Sequence, residues 1–91
     1  MHPGALLRAD VLPALGKTRT AIAGLLGISR QTLHDILSDK QPVTPAMALR
    51  LGKLCGNGPD LWLNLQHKHD LHAARIALGA EIDRIPTLAA A

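Results

Sequence analysis

The stretch over residues 19–38, RTAIAGLLGISRQTLHDILS, constrains the fold more than any other part of this sequence of 91 residues. Gly27 divides it into two short segments, at a point where a left-handed residue is needed and a side chain would cost about 1 kcal/mol. Ser29 follows at a position suited to cap the second segment as a helix. The positions that must be apolar or small are filled by Ile22, Ala23, Leu26, Ile28, Leu33 and Ile36. This spacing predicts a helix-turn-helix over about residues 18–38.

The amino-acid composition favours helices over strands. The chain has one Trp and no Tyr or Phe, and its apolar residues are mostly Ala and Leu, which favour helix. We therefore predict an all-α fold and one domain over residues 1–91. The net charge of +3 permits binding to nucleic acid without requiring it. The single cysteine, Cys55, excludes an internal disulfide and favours a reducing, cytoplasmic setting.

Glycines, prolines and the expected capping residues Thr18, Ser29 and Thr44 divide the chain into five predicted helices. The predicted segments are a first helix from Pro3, the helix-turn-helix over about 18–38, a fourth helix from Pro45 to about Cys55, and a long fifth helix from Pro59 to about Ile85. We expect the first helix to end or kink at Pro13, because proline has no amide donor and disfavours helix at the preceding residue. Gly79 is a point where the fifth helix could break.

The polar face of the third helix is suited to the edges of DNA bases. A helix fits the major groove, where every base pair presents a different pattern of donors and acceptors. Arg30 can donate two hydrogen bonds to guanine, and Gln31 can pair with adenine. Asp35 is unfavourable near DNA unless a cytosine amino group, Arg30 or His34 binds it. The predicted DNA-contacting residues are Thr18, Arg19, Ser29, Arg30, Gln31, Thr32, His34, Asp35, Ser38 and Lys40, with Lys17 flanking them. The alternative is that these residues form only a solvated face.

The fifth helix carries apolar residues along most of its length. Trp62 is expected to fill the core between the fourth and fifth helices, with Leu65 on the same face; the alternative is an anchor between molecules. From Leu71 to Ile85 there is more apolar surface than four short helices can cover, and Ile76 belongs to it. We therefore expect a dimerisation region within residues 59–85, which a second copy of the chain would cover.

Catalysis and metal binding find little support in the sequence. His69 and His72 are three residues apart and His67 is nearby, but no cysteine or carboxylate completes a site at the usual spacing. No nucleophile–base pair, phosphate loop or paired carboxylate is apparent. We expect no enzymatic activity, no metal and no cofactor.

Four segments, taken together and in order, resemble the HigA-type (VapI-like) antitoxins of type II toxin–antitoxin systems. The segments are His2-Pro3-Gly4 at the start, ISRQT at 28–32, VTPAMALRL at 43–51, and LWLNLQ at 61–66 followed by Asp70-Leu71. A phage-type repressor outside this family would share only the middle part of this series. The last residues of the chain, 79–91, match no motif of the family, and Asp35 departs from what its DNA-facing position favours.

The resemblance implies a compact five-helix, lambda-repressor-like domain with an extended C-terminal helix. It also implies a homodimer that binds a palindromic operator upstream of its own operon, and a partner protein. That partner would be a HigB-type toxin, a RelE-like ribonuclease that cleaves messenger RNA, which the antitoxin would neutralise by direct binding.

Two other functions are compatible with the same motifs. One is a stand-alone helix-turn-helix repressor without a toxin partner, which a toxin gene immediately upstream would argue against. The other is a protein-binding module that uses the third helix for protein contacts. Salt separates this last alternative from DNA binding, because contacts to several phosphates weaken steeply as salt rises.

Overall fold

The computed structural model describes residues 2–88, and five helices account for most of them. The helices are α1 over residues 3–15, α2 over Arg19–Leu26, α3 over Arg30–Leu37, α4 over Pro45–Cys55 and α5 over Pro59–Asp83. The prediction of an all-α fold is confirmed, and α2 and α3 form the helix-turn-helix. Among these described helices, none is long and apolar enough to span a lipid bilayer.

Hydroxyl side chains cap three of the helices at the positions predicted from the sequence. The capping bonds join the amide of Ala21 to Thr18 Oγ1 (3.1 Å), the amide of Thr32 to Ser29 Oγ (3.0 Å) and the amide of Met47 to Thr44 Oγ1 (3.3 Å). Gly27 ends α2 in the left-handed conformation, with φ of 73°. These local signals fix where α2, α3 and α4 begin, because each cap satisfies an amide that has no partner within its helix.

The first helix continues past Pro13, so the expectation that it ends or kinks there is wrong about the end. Its hydrogen bonding is α-helical over Pro3–Leu6, π-helical over Leu7–Val11 and α-helical again over Leu12–Leu15. Pro13 therefore lies in the first turn after the π-helical segment, where a missing amide removes no bond of a regular α-helix. The fifth helix differs from prediction in a smaller way, since it passes through Gly79 without a break and ends at Asp83.

The core lies between α1, the helix-turn-helix, α4 and the first half of α5. Its buried apolar residues are Leu7, Leu12, Ile22, Ala23, Leu26, Leu33, Ile36, Leu37, Val43, Met47, Ala48, Leu51 and Trp62. Cys55 packs against this core, and burial raises the pKa of its thiol. Trp62 is fully buried, and its Nε1 donates to Asn57 Oδ1 at 3.0 Å. The prediction that Trp62 is a core residue is confirmed.

Gln66 is a buried polar residue of α5 that the sequence did not reveal as structural. Its Oε1 accepts a hydrogen bond from the amide of Val43 at 2.8 Å, and its Nε2 donates to Asp70 Oδ1 at 2.9 Å. Because a buried polar group costs free energy unless it is bonded, both bonds satisfy the Gln66 amide. The bond from Val43 fixes the segment before α4 against α5, and Asp70, on the same helix as Gln66, orients the amide.

The second half of α5 projects away from the core. The described part of the chain measures 51 × 26 × 20 Å, and its long dimension reflects this projection. Leu65 is half-buried, whereas Leu71 and Ile76 are 51% and 73% exposed. Leu78 and Ile82 are also exposed, and with about 100° per residue they lie on the same face as Leu71, while Ile76 lies on a different face.

His2 anchors the N-terminus of α1. Its Nδ1 accepts a hydrogen bond from the amide of Gly4 at 2.9 Å, so its proton is on Nε2, which is 2.9 Å from Asp39 Oδ1. Burial lowers the pKa of His2 below its ordinary value of 6.5, and His69 adds to this effect while Asp39 opposes it. A second proton would have to replace the bond from Gly4, because both ring nitrogens already have partners.

Replacement of Trp62 by Ala should lower the free energy of unfolding by about 3–5 kcal/mol, because it leaves a cavity and an unpaired Asn57 side chain. Urea or thermal unfolding followed by circular dichroism measures the effect. Leu61→Ala, one residue away and 40% exposed, is the matched control and should cost much less. Equal losses for the two variants would contradict a core role for Trp62.

The lowered pKa of His2 makes stability depend on pH. Between the pKa of His2 in the folded state and 6.5, the unfolded chain binds more protons than the folded one. The free energy of unfolding should therefore fall as pH decreases below about 6.5 and should level off below the folded pKa. In His2→Asn, the asparagine can still cap the amide of Gly4 but does not titrate.

The pH dependence is measured by urea unfolding between pH 5 and 8, as the difference between the parent protein and His2→Asn. The difference removes the contributions of the histidines that do not contact His2. We expect the parent to lose more stability than the variant on acidification. Parallel curves would contradict a neutral, hydrogen-bonded His2.

Candidate nucleic-acid interface

The helix α3 divides into a buried apolar face and an exposed polar face. Leu33, Ile36 and Leu37 are buried in the core, while Arg30, Gln31 and His34 are exposed. The last three line a shallow open depression on the surface. A short helix held by its apolar side leaves its polar side chains free to enter a groove of DNA.

The start of α3 is ordered by its own hydroxyl groups. Ser29 Oγ accepts from the amide of Thr32 and lies 2.8 Å from Thr32 Oγ1, so the two hydroxyls share a hydrogen bond. Ser29 is exposed and Thr32 is half-buried. The first turn of α3 thus presents amide and hydroxyl donors, the groups that bind phosphate oxygens at helix N-termini.

Asp35 is held by Gln31, and not by Arg30 or His34 as the sequence suggested. Gln31 Nε2 donates to Asp35 Oδ1 at 2.9 Å, because residues four apart are neighbours on one side of a helix. Asp35 is half-buried. The bond uses one of the two amide hydrogens of Gln31 and leaves its Oε1 and second hydrogen available, which is the pair of groups that recognises adenine. The carboxylate therefore orients the side chain of Gln31 on the exposed face of α3.

The other predicted contacts lie at the two ends of the motif. Lys17, Thr18 and Arg19 are exposed at the start of α2, where Thr18 also serves as the cap. Ser38 Oγ donates to the carbonyl of His34 at 2.6 Å, so this hydroxyl closes the end of α3. Lys40 is exposed on the following turn, whose fold is set by a bond from its own amide to the carbonyl of Asp35 at 2.8 Å.

Two arginines that were not predicted as site residues hold the C-terminal ends of α2 and α3. Arg50 Nη1 donates to the carbonyl of Leu26 at 2.7 Å, and Arg8 Nη1 donates to the carbonyl of Leu37 at 2.8 Å. Leu26 and Leu37 are the last residues of α2 and α3. A cation at this end of a helix satisfies a free carbonyl and interacts favourably with the helix dipole. No sequence pattern pairs residues that are 24 and 29 positions apart.

A carboxylate and two histidines meet beside the end of α3. Asp39 Oδ1 lies 2.9 Å from His2 Nε2, and Asp39 Oδ2 lies 3.6 Å from His69 Nε2. The two imidazole rings make an edge-to-face contact, with centroids 4.7 Å apart. The sequence analysis considered His69 beside His72 and His67 and expected no metal site there; the structure brings His69 to His2 and Asp39.

These three residues have the ligand types of a metal site, but the tautomer of His2 does not fit one. A histidine that binds a metal through Nε2 donates a hydrogen bond from Nδ1 to a neighbouring acceptor. In His2, Nδ1 faces the amide hydrogen of Gly4 and must accept. The group therefore joins His2 to the turn after α3 by a hydrogen bond and reaches α5 through the contacts of the His69 ring with His2 and Asp39.

Comparison with known proteins connects this geometry to a family. A helix-turn-helix domain family matches residues 4–63 of the chain. Antitoxin HigA-1 of Vibrio cholerae is 33% identical over 72 residues, which are 79% of this chain and 68% of that protein.

Solved structures agree with that match. Pseudomonas aeruginosa antitoxin HigA with the higBA promoter is 32% identical, with a TM-score of 0.91 over 98% of each chain. Antitoxin GraA in complex with its operator is 36% identical, with a TM-score of 0.90 over 99% of this chain and 92% of that chain. The sequence motifs, the five helices and these similarities together show that the chain belongs to the HigA-type antitoxin family of helix-turn-helix proteins.

Proposed function

We propose that this protein is an antitoxin that represses its own operon by binding a palindromic operator as a homodimer, and that neutralises a HigB-type, mRNA-cleaving toxin by direct contact. It acts in the cytoplasm and works by binding, not by catalysis. The observation that carries the DNA-binding part is the polar face of α3, where Asp35 orients Gln31 beside the exposed Arg30.

Sequence recognition rests on the first turns of α3. Arg30 pairs with guanine through two parallel hydrogen bonds, and Gln31 pairs with adenine through the amide groups that Asp35 leaves available. Neither side chain contributes to the core, so their exposed groups are free for bases. The structures of antitoxin HigA with a promoter and of antitoxin GraA with its operator support this use of the motif.

Contacts to the DNA backbone set the register of α3 in the groove. Ser29 and Thr18 cap the two helices of the motif, and the amides at both helix starts are suited to phosphate oxygens. Arg19 and Lys40 are exposed on either side of α3 and supply positive charge. Because each such contact releases a counterion, affinity for the operator should fall steeply as salt rises.

Dimerisation follows from the projecting half of α5. Leu71, Leu78 and Ile82 form an apolar stripe on this half of α5. The stripe is exposed, and no other described element covers it. A second copy, related by a two-fold axis, would bury this stripe on both chains. Such a pair can present two α3 helices to half-sites about 34 Å apart, which is one turn of DNA.

The toxin-binding part of the proposal rests on family membership. Antitoxin HigA-1 of Vibrio cholerae and antitoxin HigA of Pseudomonas aeruginosa both carry the family's name and match most of this chain. A small toxin is neutralised when a partner protein binds it tightly enough to keep it from its substrate. Because the same protein would bind both the toxin and the operator, a fall in the amount of antitoxin would both release the toxin and relieve repression of the operon.

Replacement of Arg30 or Gln31 by Ala should each remove about 1–3 kcal/mol of discrimination between the operator and unrelated DNA. Fluorescence anisotropy with the two DNA fragments measures this difference. Lys53→Ala, an exposed cation on α4 away from α3, is the control and should leave discrimination unchanged. Equal losses on both DNA fragments would show that Arg30 and Gln31 contact only the backbone.

Replacement of both Leu78 and Ile82 by Glu should convert the dimer into a monomer, because two carboxylates per chain cannot be buried in an apolar interface. Sedimentation velocity gives the mass, and operator affinity should fall with it. Asn64→Glu, an exposed position in the first half of α5, adds charge without touching the stripe. A dimer that persists in the double variant would place the interface elsewhere.

A further inference from the structure

Asp39 has a backbone conformation that glycine usually adopts. Its φ is 62°, and it is the only non-glycine residue of residues 2–88 with a positive φ. It closes the end of α3, where the amide of Asp39 bonds to the carbonyl of Ile36 at 3.2 Å and the amide of Lys40 bonds to the carbonyl of Asp35 at 2.8 Å. A left-handed residue at this point of a helix end is glycine in most proteins, so the side chain of Asp39 calls for a separate explanation.

The carboxylate of Asp39 supplies that explanation. It accepts a hydrogen bond from His2 Nε2 at 2.9 Å and lies near His69. The imidazole of His2 cannot turn away freely, because its Nδ1 is bonded to the amide of Gly4 and the side chain is buried. A rigid donor from α1 is therefore aimed at the turn that follows α3.

Two further contacts from α1 reach the same end of α3. A Cβ at Gly4 would overlap the carbonyl oxygen of Ile36, so α1 and α3 lie in direct backbone contact there. Arg8 bonds to the carbonyl of Leu37 at 2.8 Å. We call His2, Gly4 and Arg8 the N-terminal clamp. The clamp contacts Ile36, Leu37 and Asp39, which are the last two residues of α3 and the turn after it. These contacts lie at the opposite end of α3 from Ser29.

We propose that His2 and Asp39 are positioning residues for operator binding. Their hydrogen bond fixes the turn that carries Lys40, and with it the angle at which α3 leaves the core and enters the groove. Neither residue contacts a base; both act through Lys40 and α3. This inference rests on the proposed DNA-binding function and adds to it a role for the N-terminal segment.

Two variants of Asp39 separate positioning from charge. Asp39→Asn and Asp39→Gly both remove the carboxylate, and both residues accept the left-handed conformation. Asparagine keeps an oxygen that can accept from His2, whereas glycine does not. On an operator fragment, Asp39→Asn should bind at least as tightly as the parent protein, because a negative charge near phosphate is gone. Asp39→Gly should bind about fivefold more weakly than Asp39→Asn, the size of one net hydrogen bond.

A variant of His2 tests whether the two residues act together. His2→Asn keeps the cap on Gly4 but is too short to reach Asp39. It should weaken operator binding in the parent background and have no further effect in Asp39→Gly, because the same bond is already lost. Leu63→Ala, a half-buried position on α5, controls for lost stability; it should leave the dissociation constant unchanged at a temperature well below unfolding.

The outcomes distinguish this inference from the proposed function. If the parent, Asp39→Asn and Asp39→Gly bind the operator equally well within twofold, the positioning role is overturned and DNA binding stands. Additive effects of His2→Asn and Asp39→Gly would also overturn it. If the parent itself does not prefer the operator over unrelated DNA, the proposed function fails and the inference fails with it.

Discussion

The structure depends on how α3 is held, because this helix of eight residues is too short to be stable on its own. Its buried leucine and isoleucine side chains anchor one face in the core. Arg8, on α1, donates a hydrogen bond to the carbonyl of the last residue of α3. Arg50, on α4, donates in the same way to the carbonyl of the last residue of α2. With the apolar face and the C-terminal end both fixed, the polar face can remain exposed without loss of helical structure.

The long helix α5 serves two purposes along its length. Its first half carries Trp62 and Gln66, which are buried and tie α5 to the core and to the segment before α4. Its second half leaves the core with Leu71, Leu78 and Ile82 exposed. The same helix also carries His69, whose ring touches His2 beside the end of α3. The turn after α3 and the proposed dimer helix therefore meet at one small polar cluster.

Local features of this fold could be predicted from the sequence, whereas contacts between distant residues could not. Thr18, Ser29 and Thr44 cap helices as expected, because a cap depends only on the next three residues. The partner of Asp35 was missed because several neighbours on one turn could bind it, and geometry selects Gln31. Pro13 did not end α1. It lies in the first turn after a π-helical segment, where its lack of an amide hydrogen costs no regular α-helical bond.

The candidate site shows the same division. Arg30, Gln31 and His34 could be identified as exposed from helical periodicity, and they are exposed. Arg8, Arg50 and the bridge from His2 to Asp39 join residues that are 24 to 37 positions apart, and no periodic pattern encodes such pairs. The contacts of individual side chains with DNA remain predictions.

Growth rescue shows whether this protein neutralises a toxin. The product of the open reading frame immediately upstream is expressed alone or together with this protein, and the two are then purified through a tag on one of them. We predict that the upstream product alone arrests growth, that this protein restores growth, and that the two co-purify. Growth arrest that persists with this protein present, or no arrest at all, would contradict the antitoxin function and favour a stand-alone repressor.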